Sequence, residues 1–475
     1  MDSEEMDLFS KLPDEVISHI LSSLPTKEAA STSVLAKKWR NLFAFVPSLD
    51  FDDSDFLHPE EGKREKDGIL QSFMDFVDRV LTLQGDSPIK KFSLNVKTGI
   101  DPDRVDRWIC NVLQRGVSHL DLFMDFEEDY SLPYRISVGK TLVELKTGYG
   151  VDLYLWDDDI FLPMLKTLVL QSVGFGRGQF QTLLPACPVL EELMLLDMEW
   201  KDRNVILSSS SLKKLQITSE DGYLGTFSFD TPNLVFLDYY DSVAEDYPIV
   251  NLTNLVEVGM SLALTYDRIH RARDNVWKLI HGIRNAEIFH ISPVTFEVLS
   301  LCCEAMPVFK NLTMLNIRSV MQQGWQAMPL LLRNCPNLET LILGFPHFRL
   351  LKSLIVSVMP FRGLLHTVTE KCGDVCDCIP RKKKGRSLMA CPVNKIQIQG
   401  FRGTIGEVHM IKHFLDYCPG LKEMEIIVKE KEPTLFEIPK WFELVEDTLM
   451  QYNEMSSCTV NFRVLAPLYW RWTRK

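Results

Sequence analysis

Four thiols in the C-terminal third, Cys372, Cys376, Cys378 and Cys391, form the densest group of potential metal ligands in the chain. Four thiolates can hold zinc, but ordinary structural zinc sites are built from paired CxxC knuckles. Here a CxxxCxC run is followed by twelve residues before the last sulfur. The group is therefore expected to be an exposed loop with ordinary thiols, and no metal site is assigned. Beside it, RKKKGR at 381–386 is a basic run of the kind used for nuclear import or anion contact, and equally a set of solvated loop charges. The acidic DFDDSDF at 50–56 lacks the glycine and distal glutamate of a calcium loop and is expected to be a solvated segment. No GxSxG, HExxH, GxGxxG or GxxxxGK[ST] pattern occurs, and the ten histidines are mostly isolated. Nothing here announces catalysis or a cofactor. What remains is the chemistry of recognition.

Composition is consistent with that. The chain has 475 residues, 46% of them apolar and 24% charged, with a formal net charge of -12. A negative summed field repels phosphates, which argues against a general nucleic-acid or anionic-membrane binder and toward protein partners. The N-terminus MDSEEMDLFS has no basic or long apolar leader, and no uncharged apolar run reaches the roughly 18 to 20 residues of a membrane span. Eleven cysteines without a disulfide-framework spacing fit reduced thiols, so a place in the cytoplasm or nucleus is expected. The length is too great for one ordinary core and calls for several domains or a repeat architecture.

The elements that would present a recognition surface begin at the N-terminus. In LPDEVISHILSSLPTKEAASTSVLAKKWRNLF, from Leu12 to Phe43, Pro13 can start a helix without losing a hydrogen bond. Asp14 and Glu15 suit its positive end, and Val16, Ile17, Ile20, Leu21 and Leu24 recur at helical spacing. Pro25 ends this helix, and Thr26 is a candidate N-cap for a second one carrying Ala29, Ala30, Val34 and Leu35. A third short helix is predicted over 38–45, stopped by Pro47. Three helices in about 35 residues cannot enclose a stable core alone. Either the following domain covers them or their apolar face docks another chain.

Beyond a charged linker, HPEEGKREKDG at 58–68, and a helical stretch up to Leu83, an LxxLxL pattern repeats. It occurs at Ile89-Phe92-Leu94, Val117-Leu120-Leu122, Leu142-Leu145, Leu165-Leu168-Leu170, Leu190-Leu193-Leu195 and Leu212-Leu215-Ile217. It continues at Leu234-Leu237-Tyr239, Leu255-Val258-Met260, Ala286-Phe289-Ile291, Leu312-Leu315-Ile317, Leu338-Leu341-Leu343, Val393-Ile396-Ile398 and Leu421-Met424-Ile426. The spacing, mostly 21 to 31 residues, is the period of leucine-rich repeats. Each unit offers a short strand whose apolar edge is buried only by stacking on its neighbours. The fold class is therefore α/β: a helical head followed by an irregular leucine-rich-repeat solenoid, a curved parallel sheet with helices and loops outside. Phrases such as ACPVLEEL, NCPNLETL and YCPGLKEM mark the turn into a strand, which makes Cys187, Cys335 and Cys418 buried turn residues. Side chains between the buried ones point to the exposed face of the sheet. Lys214, Gln216, Asp238, Glu257 and Asn316 are among them, and Phe236, Tyr240, His290, Met314 and Arg318 are the candidate target-binding residues, being the types that anchor protein interfaces.

The opening segment closely resembles the F-box motif in its plant form: the LPDE start, the ILSSLP end of the first helix, and the SVLAKKWRNL run with Trp39 and Arg40. The resemblance covers residues 8–52. It implies binding to a Skp1-like adaptor and, through it, to a cullin and RING ubiquitin-ligase scaffold. Carried over position by position, Leu12, Pro13, Glu15, Ile17, Leu21, Leu24, Val34, Leu35 and Trp39 are the adaptor contacts or their immediate supports. CPVNKIQIQGFRGTIGEVHMIKHFLDYCPGLKEMEIIV, from Cys391 to Val428, resembles the FBD module of plant F-box proteins, without that module's familiar upstream tryptophan and prolines. The expected organisation is head 8–52, linker and helical connection 53–88, repeats 89–368, a Cys/Lys-rich loop 369–390, an FBD-like module 391–431, and a C-terminal helix and tail 432–475. The expected function is substrate recognition for an SCF-type ligase without catalysis, the alternative being a ligase-independent binding scaffold.

Overall fold

A computed structural model of the chain describes residues 12–32, 37–54, 66–96, 100–126, 130–149, 151–153, 159–220, 225–264, 269–302, 306–318, 327–344, 391–401, 405–429 and 458–465, with isolated positions between them. Outside the described residues fall Val34 and Leu35, most of the 58–68 linker, Cys372, Cys376 and Cys378, the 381–386 basic run, most of 441–450 and the 468–475 tail. The chain forms two compact units, residues 1–216 and 217–475.

The first unit opens with α1 (Asp14–Ser23), α2 (Thr26–Thr32) and α3 (Lys37–Phe43), followed by β1 (Ser48–Asp52), α4 (Lys66–Gln84), β2 (Lys91–Val96), α5 (Pro102–Gln114) and β3 (His119–Met124). It continues through β4 (Tyr130–Ser131), β5 (Glu144–Gly148), β6 (Val151–Asp152), β7 (Thr167–Gln171), α6 (Gln179–Leu183), β8 (Glu192–Leu196), β9 (Asn204–Ser208) and β10, which begins at Lys214 and ends at Thr218. Its main strands line up in the order β1-β2-β3-β5-β7-β8-β10. Pairing from β1 through β8 is parallel throughout.

Local chemistry sets the helices. Asp101 caps α5 by accepting the Asp103 N–H at 3.0 Å, Pro102 supplies its first turn, and Val105, Trp108, Ile109 and Val112 form its buried face. Arg104 then ties α5 to α4 through Asp75 at 3.0 Å and Asp78 at 3.2 Å. Trp108 Nε1 donates to Asp78 at 2.6 Å. At the far ends of these two helices the buried Gln84 donates to the Val46 carbonyl at 3.0 Å and accepts from Arg115 Nη2 at 3.1 Å.

The second unit contains β11 (Thr226–Asp230), β12 (Phe236–Ser242), β13 (Val250–Asn251), β14 (Glu257–Ala263), α7 (Ile269–Gly282), β15 (Ile288–Ile291) and α8 (Pro293–Cys302). Then come β16 (Met314–Arg318), α9 (Ala327–Arg333), β17 (Thr340–Gly344), β18 (Lys395–Gln399), α10 (Ile405–Tyr417), β19 (Glu423–Lys429) and β20 (Thr459–Leu465). From β12 onward each main strand pairs in parallel with the next main strand along the chain. The FBD-like stretch thus folds as strand, helix, strand. An aromatic group of Phe227, Phe229, Tyr239 and Tyr247 fills the core beneath β11 and β12, and the Tyr247 hydroxyl accepts the Ala244 N–H at 3.1 Å.

Every LxxLxL position predicted to face inward is buried, from Ile89 to Ile426. The sheet also extends past the predicted patterns at both ends. The acidic 50–56 stretch is not a solvated segment where it is described: it carries β1, with Val46, Leu49 and Phe51 buried at the same spacing. Asp53 is buried too, and its N–H donates to the Asn95 carbonyl. The predicted N-cap is also used differently. Thr26 Oγ1 accepts the N–H of Asp50 at 2.6 Å, fastening α2 to β1.

Candidate functional site

The candidate residues fall on two surfaces, one in each unit. In the head, α1 has two apolar stripes. Ile17 and Leu21, four residues apart, are fully buried, and Trp39 of α3 is buried with them. Val16 and Ile20 form a second stripe at the same four-residue spacing, and Leu12 and Leu24 flank the helix just beyond its two ends. Val16 is 41% exposed, and Leu12, Ile20 and Leu24 are each only partly covered. Pro13 and Glu15 are exposed. Lys38 closes the head by pairing with Asp14 at 2.9 Å and donating to the Leu12 carbonyl. The structure therefore separates what the sequence ran together. Ile17, Leu21 and Trp39 hold the helices to one another and to β1, whereas Leu12, Pro13, Glu15 and Leu24 lie where another molecule can reach them. Val16 and Phe45, the latter 67% exposed, belong with the outer group and were not singled out from the sequence. The i, i+4 spacing was the signal for Val16.

In the second unit the candidate residues fall on one face of four neighbouring strands. One row runs Phe236, Glu257, Ile288, Met314, and the next runs Asp238, Gly259, His290, Asn316. A third places Tyr240 beside Ser261 on β12 and β14, with Arg318 at the end of β16 beside Gly344. Phe236, Tyr240, His290 and Met314 are half-buried and Arg318 is exposed, so the five sequence-predicted positions share a face. His290 Nε2 lies 3.2 Å from Glu257 Oε1. Gly259 leaves room for Asp238, since a Cβ at that glycine would stand 2.6 Å from Asp238 Oδ1. Burial pushes the Asp238 carboxyl above its ordinary range, partly offset by the fields of His290 and Arg318. From β18 to β20 the face is instead paired across strands: Lys395 with Glu423 at 3.3 Å, Gln397 with Glu425 at 3.1 Å, and Arg463 with Glu425 at 3.0 Å. The aromatic and sulfur-bearing candidate residues of this face thus lie at β12 to β16.

Cys391 belongs to a structural turn. It is buried at the entry to β18, and Cys187, Cys335 and Cys418 are buried at the entries to β8, β17 and β19. Burial raises the Cys187 and Cys335 thiols to about 12, so both stay protonated and inert. Among the described residues no group of three or more His, Cys, Asp or Glu side chains is disposed to hold a metal.

Comparison with known proteins identifies the relatives of this chain. A model of the F-box domain matches residues 9–50, and a model described as FBD-associated F-box protein At5g56370, LRR repeats, matches residues 105–251. The chain is 87% identical to putative F-box protein At3g58860 of Arabidopsis thaliana, over the full length of both. It is 54% identical to F-box protein At3g59000 of the same plant, across 98% of this chain and 95% of that one. With F-box/LRR-repeat protein At3g58930, also from Arabidopsis thaliana, the identity is 50% across 98% of this chain and all of the relative. A head with a partly exposed apolar stripe, joined to parallel repeat strands and matched end to end by such relatives, belongs to the plant family of F-box proteins with leucine-rich repeats.

Proposed function

We propose that this chain is the substrate-recognition subunit of an SCF-type ubiquitin ligase. The head binds a Skp1-like adaptor and, through it, the cullin and RING scaffold. The repeat face of the second unit binds a target protein. The observation that carries this reading is the outer apolar side of α1, where Val16 is 41% exposed and Leu12, Ile20 and Leu24 are only partly covered, in the segment that an F-box model matches. The mechanism is positional: the receptor supplies no nucleophile and raises the local concentration of target lysines near the charged conjugating enzyme. Phe236, Tyr240, His290, Met314 and Arg318 are the proposed target contacts, and the protein acts in the cytoplasm or nucleus.

Replacement of Leu12 and Pro13 by aspartate in the full chain tests the head. Capture of purified Skp1-like adaptor is expected to fall at least about tenfold, the loss of roughly 1.4 kcal/mol or more, while circular dichroism is unchanged. Unaltered capture by a folded variant refutes the assignment. The packing of α1 and α2 on β1 favours a second reading, a ligase-independent scaffold whose head serves only to cover the sheet. Failure of the intact chain to bind any purified Skp1-like adaptor would select it.

A further inference from the structure

Strand β12 turns Phe236, Asp238 and Tyr240 to the exposed face of the second unit, each half-buried, while Leu237 and Tyr239 between them are buried. Side chains two residues apart on a strand stand about 7 Å from each other, so one carboxylate is flanked by two aromatic rings. The neighbouring strand leaves space beside it. Asp238 pairs with Gly259 of β14 and leans over it, since a Cβ there would lie 2.6 Å from Asp238 Oδ1. Gly259 pairs in turn with His290 of β15, so the glycine floors a notch between Asp238 and His290, two strand spacings or about 10 Å apart. The Asp238 carboxylate accepts no hydrogen bond and makes no ion pair among the described residues. His290 is engaged elsewhere, its Nε2 3.2 Å from Glu257 Oε1. Arg318 lies three strands from Asp238 and leans the other way, since a Cβ at Gly344 of β17 would lie 3.4 Å from Arg318 Cγ.

We propose that this notch seats a basic side chain of the target protein, arginine or lysine, with its charge on Asp238 and its stem between Phe236 and Tyr240. The inference rests on the reading of this face as the target surface. A guanidinium or ammonium group brings the donors that the Asp238 carboxylate lacks, and aromatic rings attract cations through their faces. Half-burial shields the pair from salt. Burial also holds the Asp238 carboxyl above its ordinary range, with His290 and Arg318 only partly offsetting it, so an arriving cation relieves a cost that the face otherwise carries. An acidic or phosphorylated segment would instead meet two carboxylates here, Asp238 and Glu257, and be repelled. The formal net charge of -12 favours basic partners in the same sense.

The test selects displayed random peptides on the full-length chain, keeps those whose binding falls on Met314→Glu at the other end of the face, and measures their affinity by fluorescence anisotropy. These face binders are expected to share an arginine or lysine. Exchange of that arginine for citrulline, or of that lysine for acetyl-lysine, keeps the shape and removes the charge. It should weaken binding at least about tenfold, as should Asp238→Asn, and both changes together should cost little more than either alone. Asp121→Asn, on the first unit's sheet, should leave affinity unchanged. Face binders without a basic residue, no loss on removing the peptide's charge, or additive losses in the cycle would overturn the proposal and leave the target face standing. A library that yields no peptide sensitive to Met314→Glu would overturn the target face and this notch with it. The charge-removal arm is read on the unaltered chain, so it decides the matter even where Asp238→Asn fails to fold.

Discussion

Asp121 stands mid-row on β3 between Ser93 of β2 and Lys146 of β5. Its Oδ1 is buried and accepts no hydrogen bond among the described residues. Burial raises its carboxyl, and the nearby Lys146 and Lys91 only partly offset this. A folded-state pKa above the unfolded one means that this group favours the folded chain below the ordinary carboxylate range and loses that advantage as pH rises through the raised value. Asp121→Asn should therefore raise the thermal midpoint at pH 7, with the gain shrinking toward zero below about pH 4, the ordinary carboxylate value. Thermal unfolding across pH checks it, and a gain independent of pH would contradict it. Such a feature was not legible in the sequence, because it depends on neighbours from strands on either side. The same holds for Tyr149, Ser172 and Asp197, which adopt left-handed backbone with φ of 67°, 50° and 49° at the exits of β5, β7 and β8. Nothing in those residue types announces the conformation, which usually selects glycine. By contrast, the inward positions Leu120, Leu168, Leu193 and Leu315 could be read directly, since burial follows from a side chain's own apolarity and its period.

At the scale of elements, the clasp at the ends of α4 and α5 is the clearest case of structure that local pattern could not supply. Gln84 is 3% exposed and stands between the Val46 carbonyl and the Arg115 guanidinium, which also donates through Nε to the Ser87 carbonyl at 2.7 Å. Gln84→Ala leaves buried polar groups without partners, a loss of about 1–3 kcal/mol. Urea unfolding of the variant is expected to show a lower midpoint with an unchanged slope. Strands were legible wherever LxxLxL stood clear of competing signals. β1 has the same signature in Val46, Leu49 and Phe51, but the aspartates at 50, 52 and 53 gave it the look of a polar loop. β20 was missed for a related reason: Val460 and Phe462 are only half-buried, so its apolar edge is weaker than those before it. In the head, sequence placed the three helices but could not divide α1 into an inner and an outer stripe, since both are apolar and both repeat every four residues.

For the whole molecule, stacking in chain order means that each strand depends mainly on the strands beside it. Phe289 is fully buried on β15 and lies 6.1 Å from the Phe309 ring. Phe289→Ala should cost about 3–5 kcal/mol through lost burial and the cavity left behind. Hydrogen exchange is expected to quicken in β14, β15 and β16 while β2 and β3 keep their protection, a gradient that one all-or-none unit would not show. Among the described residues the first unit's sheet ends at β1, which pairs with β2 and is met by α1 and α2. Cutting the head away would strip that border and bare a row of backbone donors and acceptors open to self-association. A chain shortened from this end would then be expected to self-associate through its sheet, so the helices at the start of the first unit guard a sheet border as well as presenting a surface of their own.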